Sequence, residues 1–194
     1  MGGPKHFFAY MARMKHIRRW GLMRNTQQEN DAEHAAQVAM IAHALAVLRN
    51  TRFGGQVNAG WVTQLALYHD AAEVLTGDLA TPVKYFNPEI KAAYRGIEAA
   101  AAQRLLAMLP GDMRAAYAPL LQPDTAETAW RLVKAADRIA AYLKCVEELS
   151  AGNREFAQAA ESTLASIRAL GLSEVDAFMA QFAPSFALSL DQLN

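Results

Sequence analysis

A histidine and two carboxylates lie close together in an otherwise apolar stretch, residues 61–75. If this stretch is helical, His69 and Glu73 lie one turn apart and Asp70 precedes Glu73 by three residues, so the three side chains can converge on one site. Placing this much ionisable character among apolar side chains is unfavourable unless something compensates the charge. A bound cation would compensate it, so the sequence predicts a cation site here.

Two other segments with helical patterns each carry one metal-capable residue on an apolar face. Together with the first segment they would supply two imidazoles and two carboxylates: His34, His69, Asp70 and Asp137. Such a set suits Mn, Co, Fe, Ni or Zn better than it suits Ca or a thiolate site.

Each of these residues also has a structural interpretation. His34 could be a hydrogen-bonded core histidine, and Asp137 could be paired with Arg131 or Arg138. Glu73 could be a surface carboxylate at a helix end, although its spacing from the histidine one turn earlier favours a catalytic role. Any one of these alternatives is ordinary, but several would be needed at once in three separate helices. Metal binding is therefore the more economical hypothesis.

Hydrophobic periodicity and capping signals predict the helices that must position these side chains. The segment from residue 76 to residue 86 has no helical pattern and is predicted to be a loop that can contact a ligand. No period-two strand pattern and no internal repeat occur, so we predict an all-α chain with a single domain over residues 1–194. Helices are predicted over residues 5–18, from a capping box at 30–33, from Asn58 to 76, over 88–109, from a second capping signature at 124–127 to 149, over 155–170 and over 173–182, with a shorter apolar piece at 117–121.

The composition is typical of an ordered globular domain: 53% of the 194 residues are hydrophobic and 20% are charged. The net charge is zero, so no global field favours a nucleic acid polymer or an anionic membrane. The longest weakly polar run, residues 35–48, is shorter than the ~20 residues that a membrane span needs. The single cysteine, Cys145, excludes an internal disulfide and favours a cytoplasmic location.

The order of a histidine, a later His-Asp pair and a distant aspartate resembles the HD-domain phosphohydrolases. Longer strings make the resemblance more specific, since over nearly the whole chain they are similar to those of the bacterial HD-domain 5'-deoxynucleotidases of the YfbR type. The strings are Arg19-Trp20, residues 22–25, Glu33-His34, Tyr68-His69-Asp70, residues 73–78, residues 81–87 and residues 142–149.

The resemblance implies an HD-domain helical bundle that binds one divalent transition metal per chain through His34, His69, Asp70 and Asp137. Co or Mn is expected first, and Zn, Ni, Fe or Cu would also be accommodated. One metal is expected because none of the five histidines lies after residue 69. The implied substrate is a deoxyribonucleoside 5'-monophosphate, hydrolysed to the deoxynucleoside and phosphate with little dependence on the base. A homodimer is implied as well.

The resemblance also assigns roles to individual residues. Arg19 would grip the phosphate, although Arg18 beside it carries the same group and only the register of the chain decides between them. Glu73 would be the general acid or base, and the sequence leaves open which. Trp20 and Asp78 would frame the deoxyribose. The full substrate-binding set is Arg19, Trp20, His34, Asp70, Asp78, Leu79, Ala80, Thr81 and Asp137, in which Ala80 stands where proline is expected in the family.

Two alternative functions are compatible with the motifs. The first is another HD activity, such as hydrolysis of a nucleoside triphosphate or a cyclic dinucleotide. It is disfavoured because the chain has no second basic cluster like that of residues 1–24. The second is a non-catalytic HD module that binds a nucleotide, and the presence of both Arg19 and Glu73 argues against it.

Overall fold

Three helices begin at an asparagine whose side chain accepts main-chain hydrogen bonds, and the sequence predicts all three starts. The side chain of Asn30 accepts from the N–H groups of Ala32 and Glu33 at 3.1 Å, and the Glu33 carboxylate accepts from the N–H of Asn30 at 3.3 Å. These reciprocal bonds complete the predicted capping box. Asn58 and Asn87 cap two later helices in the simpler one-sided way.

The computed structural model describes residues 3–84 and 86–193. Over these ranges the only extended pairing is an isolated antiparallel bridge between Arg18 and Asn30, so the predicted all-α class is confirmed. None of the helices in them combines the length and the apolarity needed to cross a bilayer. The α-helices are α1 (Phe7–Met11), α2 (Asp31–Arg52), α3 (Ala59–Tyr68), α4 (Glu73–Thr76), α5 (Thr81–Lys84), α6 (Pro88–Ala107), α7 (Gly111–Leu121), α8 (Thr128–Ser150), α9 (Ala157–Arg168) and α10 (Ser173–Gln181). Four 3-10 helices cover Ala12–His16, Arg154–Phe156, Ala183–Ala187 and Leu190–Leu193.

The principal hydrophobic core lies where α2, α3 and α8 pack together. Each of the three helices contributes a leucine that is fully buried, namely Leu45, Leu65 and Leu143. Burying one leucine side chain stabilises the fold by roughly 1.5–3 kcal/mol. The predicted inward faces of α2 and α8 are buried as expected, so the helices that carry His34 and Asp137 are fixed against each other.

The helix predicted to run unbroken from Asn58 to residue 76 is interrupted at the predicted cation site. α3 ends at Tyr68, α4 begins at Glu73, and the residues between them form turns. The amide of Ala71 donates to the carbonyl of Tyr68, and the amide of Glu73 donates to that of Asp70. These bonds span three residues instead of four, so the chain winds more tightly here than in an α-helix.

Other boundaries also differ from the predictions. The helical pattern of residues 5–18 ends as a 3-10 helix at His16, and the predicted loop up to residue 86 contains α5. The Asp124 side chain accepts from the Ala126 amide at 2.9 Å and so stabilises a turn, and α8 begins only at Thr128. Three smaller differences are that α7 extends back to Gly111, that α9 spans only part of 155–170, and that α10 ends at Gln181.

The loop that joins the N-terminal helices to α2, residues 17–30, is anchored on the last turns of α8. Glu148, which is 1% exposed, accepts from the amide and the hydroxyl of Thr26 at 2.9 and 2.7 Å. It also accepts from the amide of Gln27 at 3.2 Å, and Lys144 contacts both Glu148 and the Gln27 carbonyl. A buried charge with this many partners fixes the loop in place.

Candidate metal centre and substrate pocket

His69 directly follows α3, and its ring orientation is set by the end of that helix. Its Nδ1 donates to the carbonyl oxygen of Ala66 at 2.7 Å, which leaves Nε2 to face the interior. Nε2 lies 3.0 Å from Oδ2 of Asp70 and 3.8 Å from Oδ1 of Asp137. A histidine whose other nitrogen is held by a carbonyl in this way is typical of metal ligands.

His34, in the first turn of α2, is completely buried beside the same two carboxylates. Its Nε2 lies 3.1 Å from Oδ1 of Asp137 and 3.8 Å from Oδ2 of Asp70. One ligand atom from each of His34, His69 and Asp70 lies within 4.8 Å of the other two. The structure therefore brings the four predicted ligands together, and their binding of a metal stays a prediction.

The geometry of this cluster fits a divalent cation. Nε2 of His69 has no hydrogen-bond partner of suitable geometry, although a carboxylate oxygen of Asp70 lies 3.0 Å away. In the metal-free protein a proton supplies the missing positive charge: burial lowers the pKa of His69, but Asp70 and Asp137 outweigh it and raise the pKa to about 9. A metal ion between the rings and the carboxylates would supply that charge to all four groups at once.

Asp137 does not pair with Arg131 or Arg138, the two partners considered in the structural alternative. Arg138 donates to the carbonyl of Ser166 at 3.2 Å, whereas Asp137 contacts Lys134, one turn earlier on α8. Burial opposes the negative charge of Asp137, but Lys134 and the two histidines outweigh it and hold its pKa well below 3.8. Asp137 is therefore available as an anionic ligand.

Glu73 is the first residue of α4 and is only 7% exposed. Its Oε2 has no hydrogen-bond partner in the described part of the chain. Burial, followed by the charges of Asp70, Asp31 and Asp78, raises the pKa of Glu73 to about 10 in the metal-free protein. A nearby cation reverses this effect. The structural alternative of a surface carboxylate is therefore wrong, because Glu73 is buried beside the cluster.

The register of the Arg-Trp pair turns Arg19 towards the cluster and Arg18 towards solvent. Nη1 of Arg19 lies 3.4 Å from Oδ2 of Asp70 and 3.9 Å from Oδ1 of Asp31. Burial opposes the charge of Arg19, but the surrounding carboxylates raise its pKa above the ordinary value. Arg19 is thus a permanent cation beside the predicted metal ligands.

Trp20 is half-buried next to Arg19. Its ring packs against Phe156 with the ring centroids 5.3 Å apart, and its Nε1 donates to Glu29 at 3.1 Å. Its φ angle is +57°, in the left-handed region that a bulky residue rarely occupies.

The segment from Asp78 to Thr81 follows Gly77, whose φ of +73° ends α4. Asp78, Leu79 and Ala80 are half-buried, and Thr81 is exposed at the start of α5. Burial raises the pKa of Asp78 against the opposing charge of Arg19. In residues 3–84 and 86–193 no hydrogen bond joins these four side chains to the predicted metal ligands, so their contact with substrate stays a prediction.

Sequence reasoning did not find three charged residues beside the cluster, namely Glu29, Asp31 and Lys134. Asp31 is fully buried, and within the described part of the chain neither of its carboxylate oxygens has a hydrogen-bond partner; burial raises its pKa to about 7 despite the opposing charge of Arg19. It precedes His34 by three residues, a helical spacing that could have shown that the two share a face. Glu29 lies in a loop and offered no such signal.

Comparison with known proteins identifies close relatives. A family model described as "5'-deoxynucleotidase YfbR-like" matches residues 6–186. The chain is 54% identical over 190 residues to a 5'-deoxynucleotidase of Vibrio vulnificus (strain YJ016), and the match covers 97% of this chain and 98% of that protein.

Two solved structures are similar in fold. An HD-domain phosphohydrolase from Listeria innocua has a TM-score of 0.82 at 22% identity, covering 95% of this chain and 90% of that one. An HD phosphohydrolase of cyanophage S-2L, described as bound to dA and one catalytic Zn²⁺ ion, has a TM-score of 0.65 at 25% identity, covering 92% and 95%. The predicted HD-domain helical fold is confirmed.

Proposed function

The chain belongs to the YfbR-like 5'-deoxynucleotidase family, and we propose that it hydrolyses deoxyribonucleoside 5'-monophosphates to the deoxynucleoside and phosphate. The observation that carries this proposal is the meeting of His34, His69, Asp70 and Asp137 in a chain that matches curated 5'-deoxynucleotidases over nearly its full length. Residues 1–194 would act as one HD-type domain.

One divalent transition metal per chain is proposed, with Co or Mn first and Zn, Ni, Fe or Cu as alternatives. The cyanophage relative described with one catalytic Zn²⁺ ion supports a single-metal site. His34, His69, Asp70 and Asp137 would hold the ion, which when bound supplies Lewis-acid stabilisation of the phosphoryl charge and lowers the pKa of a bound water.

The surrounding side chains would do the remaining work of phosphoryl transfer, which depends mainly on positioning and on charge stabilisation. Arg19 would bind the phosphate oxygens through its planar guanidinium. Glu73, buried beside the cluster, would move a proton to or from the reacting oxygens as general acid or base. His34, Asp70 and Asp137 would also contact the substrate as the walls of the phosphate site.

The sugar would bind between Trp20 and the segment from Asp78 to Thr81. Trp20 offers an aromatic face and Asp78 offers a carboxylate to the 3'-hydroxyl, with Leu79, Ala80 and Thr81 completing the pocket. No residue group in the sequence is suited to reading a base edge, so we propose breadth towards the base.

The proposed assembly is a homodimer, and the proposed compartment is the cytoplasm. Large apolar side chains that a second copy could cover include Leu22, Phe86 and Leu190, each at least 75% exposed. A single, fully buried thiol at Cys145 suits a reducing compartment. The zero net charge gives no support to binding of a nucleic acid polymer or a membrane.

A panel of nucleotides tests the proposed activity. Purified protein loaded with Mn²⁺ or Co²⁺ is given deoxyribonucleoside and ribonucleoside 5'-monophosphates, di- and triphosphates, and cyclic dinucleotides, and phosphate release is measured. We expect release from the deoxyribonucleoside monophosphates, and loss of that release in Glu73→Ala. Hydrolysis confined to triphosphates or cyclic dinucleotides would contradict the proposal, as would unchanged turnover by Glu73→Ala.

A further inference from the structure

Glu29 contacts both residues that are proposed to bind the phosphate and the sugar. Its Oε2 accepts from Nε of Arg19 and from Nε1 of Trp20, each at 3.1 Å. The side chain is 11% exposed, so both bonds are largely shielded from water. Because one acceptor oxygen serves both donors, the guanidinium and the indole cannot turn independently.

The main chain reinforces this contact. The amide of Arg19 donates to the carbonyl of Glu29 at 3.1 Å, beside the bridge between Arg18 and Asn30. Arg19 and Glu29 are therefore joined twice, through the backbone and through the side chains. A pair held in both ways has little freedom to change its relative orientation.

The backbone of Trp20 shows that this arrangement is strained. Among residues 3–84 and 86–193 it is the one non-glycine residue with a positive φ, +57°. Holding a bulky residue in the left-handed backbone region costs about 1–3 kcal/mol, so contacts with surrounding residues must stabilise this conformation. Here the surroundings include the bond to Glu29, a hydrogen bond from Asn25 to the Trp20 carbonyl at 3.3 Å, and the ring of Phe156.

Glu29 also prevents an unproductive arrangement of Arg19. Nη1 of Arg19 already lies 3.4 Å from the half-buried Asp70 and 3.9 Å from the fully buried Asp31, and both carboxylates compete with a phosphate for the guanidinium. Because Glu29 binds Nε, the plane of the Arg19 guanidinium is fixed. Its Nη2 makes no hydrogen bond within the described residues. Without Glu29, the guanidinium is free to turn onto the two carboxylates.

We propose that Glu29 is a positioning residue that orients Arg19 and Trp20 towards the phosphate and the sugar of the substrate. The inference rests on the proposed function, and it goes beyond that function because it assigns a role to Glu29, whose hydrogen bonds go to Arg19 and Trp20. Its Oε1 lies 3.9 Å from Nδ1 of His34, beyond hydrogen-bond distance, so the hydrogen bonds that carry the proposed effect are those to Arg19 and Trp20.

The first test compares Glu29→Ala and Glu29→Gln with Glu127→Gln. The control is matched because Trp61 donates its Nε1 to Glu127 at 3.2 Å, the same indole-to-carboxylate bond at a distant surface site. We expect Glu29→Ala to lower kcat/KM about 10- to 100-fold, the effect typical of removing an outer partner of a site residue. Glu29→Gln should recover part of this loss because its amide oxygen still accepts one bond. Glu127→Gln should retain full activity.

The second test asks whether the loss runs through Arg19. In a cycle of Glu29→Ala, Arg19→Ala and the double variant, we expect Glu29→Ala to cost little once Arg19 has been removed. Equal losses in both backgrounds would overturn the proposal. A merely structural role would lower the unfolding temperature and leave the two losses additive.

A third readout does not depend on turnover. The chain has three tryptophans, so the metal-free protein gives three indole N–H resonances in NMR, and Trp20→Phe assigns one of them. Glu29→Gln should move the Trp20 resonance and leave those of Trp61 and Trp130 in place, and an unmoved Trp20 signal would overturn the proposal.

If the wild-type protein releases no phosphate from deoxynucleotides, the proposed function fails. The positioning role of Glu29 is then tested by the binding of inorganic phosphate. Calorimetric titration of the Mn²⁺-loaded protein with inorganic phosphate should then give an affinity about tenfold weaker for Glu29→Ala. Equal affinities would overturn the positioning role independently of the activity.

Discussion

The imidazole of His69 donates its Nδ1 proton to the main-chain carbonyl of Ala66 at 2.7 Å, and so fixes which ring nitrogen faces the carboxylates. The same carbonyl also accepts from the main-chain amide of His69 at 3.4 Å, so the ring and the backbone of His69 both bind the last turn of α3, which ends at Tyr68. The end of α3 therefore also determines the orientation of the His69 ring, the predicted metal ligand.

Metal binding should stabilise the wild-type protein and should require His69. At a free Mn²⁺ concentration 100 times the Kd, the free energy of unfolding should rise by about 2.7 kcal/mol. His69→Ala should lose this increment, whatever its stability without metal. Thermal unfolding with and without Mn²⁺ measures the difference. His43→Ala, at an exposed position on α2, is the control and should keep the full increment. An equal increment in His69→Ala would rule out His69 as a ligand.

Glu73→Gln should lower kcat by about 100- to 10,000-fold, because the amide cannot exchange a proton with the reacting oxygens. KM should change little, since neither proposed role needs Glu73 to bind the substrate. Steady-state phosphate release measures both constants. Glu89→Gln, on the exposed first turn of α6, should have wild-type kinetics. A large rise in KM with unchanged kcat would mean that Glu73 binds substrate and transfers no proton.

Arg19→Lys and Arg18→Lys should differ sharply. The first keeps a positive charge but loses the planar fork, so kcat/KM should fall about 10- to 100-fold, in line with the roughly 1.5–3 kcal/mol of a hydrogen bond to a charged group. The second changes an exposed side chain and should have no effect. Kinetics of the two variants at one metal concentration are sufficient. Equal losses would contradict the register seen in the structure.

Glu148 should make stability depend on acid pH. Burial raises the pKa of Glu148, but hydrogen bonds from Lys144, Asn153 and Thr26 outweigh it and hold the pKa well below 4.5. Because the folded pKa is depressed, the stabilisation is fully present above the unfolded value near 4.5 and is lost as pH falls below it. Glu148→Gln should therefore cost about 3 kcal/mol at neutral pH, because the buried Lys144 ammonium loses its carboxylate partner and keeps only the Gln27 carbonyl, and progressively less below pH 4.5.

Urea unfolding between pH 7 and pH 3 measures this narrowing difference. Glu161→Gln, at an exposed position on α9, is the control, and its free energy of unfolding should change with pH in the same way as that of wild type. If the difference in the free energy of unfolding between wild type and Glu148→Gln stays constant with pH, the Glu148 carboxylate has an ordinary pKa in the folded state.

Local chemistry explains what the sequence could predict. An asparagine before a helical pattern caps its own neighbours, so the starts at Asn30, Asn58 and Asn87 follow from a few adjacent residues. The buried face of α2 follows from its periodicity, and that face includes His34. The fold class follows from such local patterns as well, whereas the set of four predicted ligands comes from their positions on apolar faces together with the family resemblance.

The remaining features depend on contacts between distant residues. The helical pattern continues through residues 69–72, and only the packing around the cluster tightens the chain there into three-residue turns. Glu29 has no periodic pattern, because its relation to Arg19 is created by the backbone bridge between the two ends of a loop. Asp31 belongs to the predicted capping box at 30–33, but its interactions with Arg19 and Glu73 bring in residues that lie elsewhere in the sequence.

The anchoring of the loop 17–30 by Glu148 has a consequence for protein synthesis. Thr26 and Glu148 are 122 residues apart, so the ribosome completes the loop long before it makes the helix that holds it. A growing chain therefore carries the loop with Arg19 and Trp20 without its anchor on Glu148 until α8 has emerged. Unfinished chains should be inert towards the cell's nucleotide pool, and hydrolysis should begin only after α8, which carries Asp137 and Glu148, has been made.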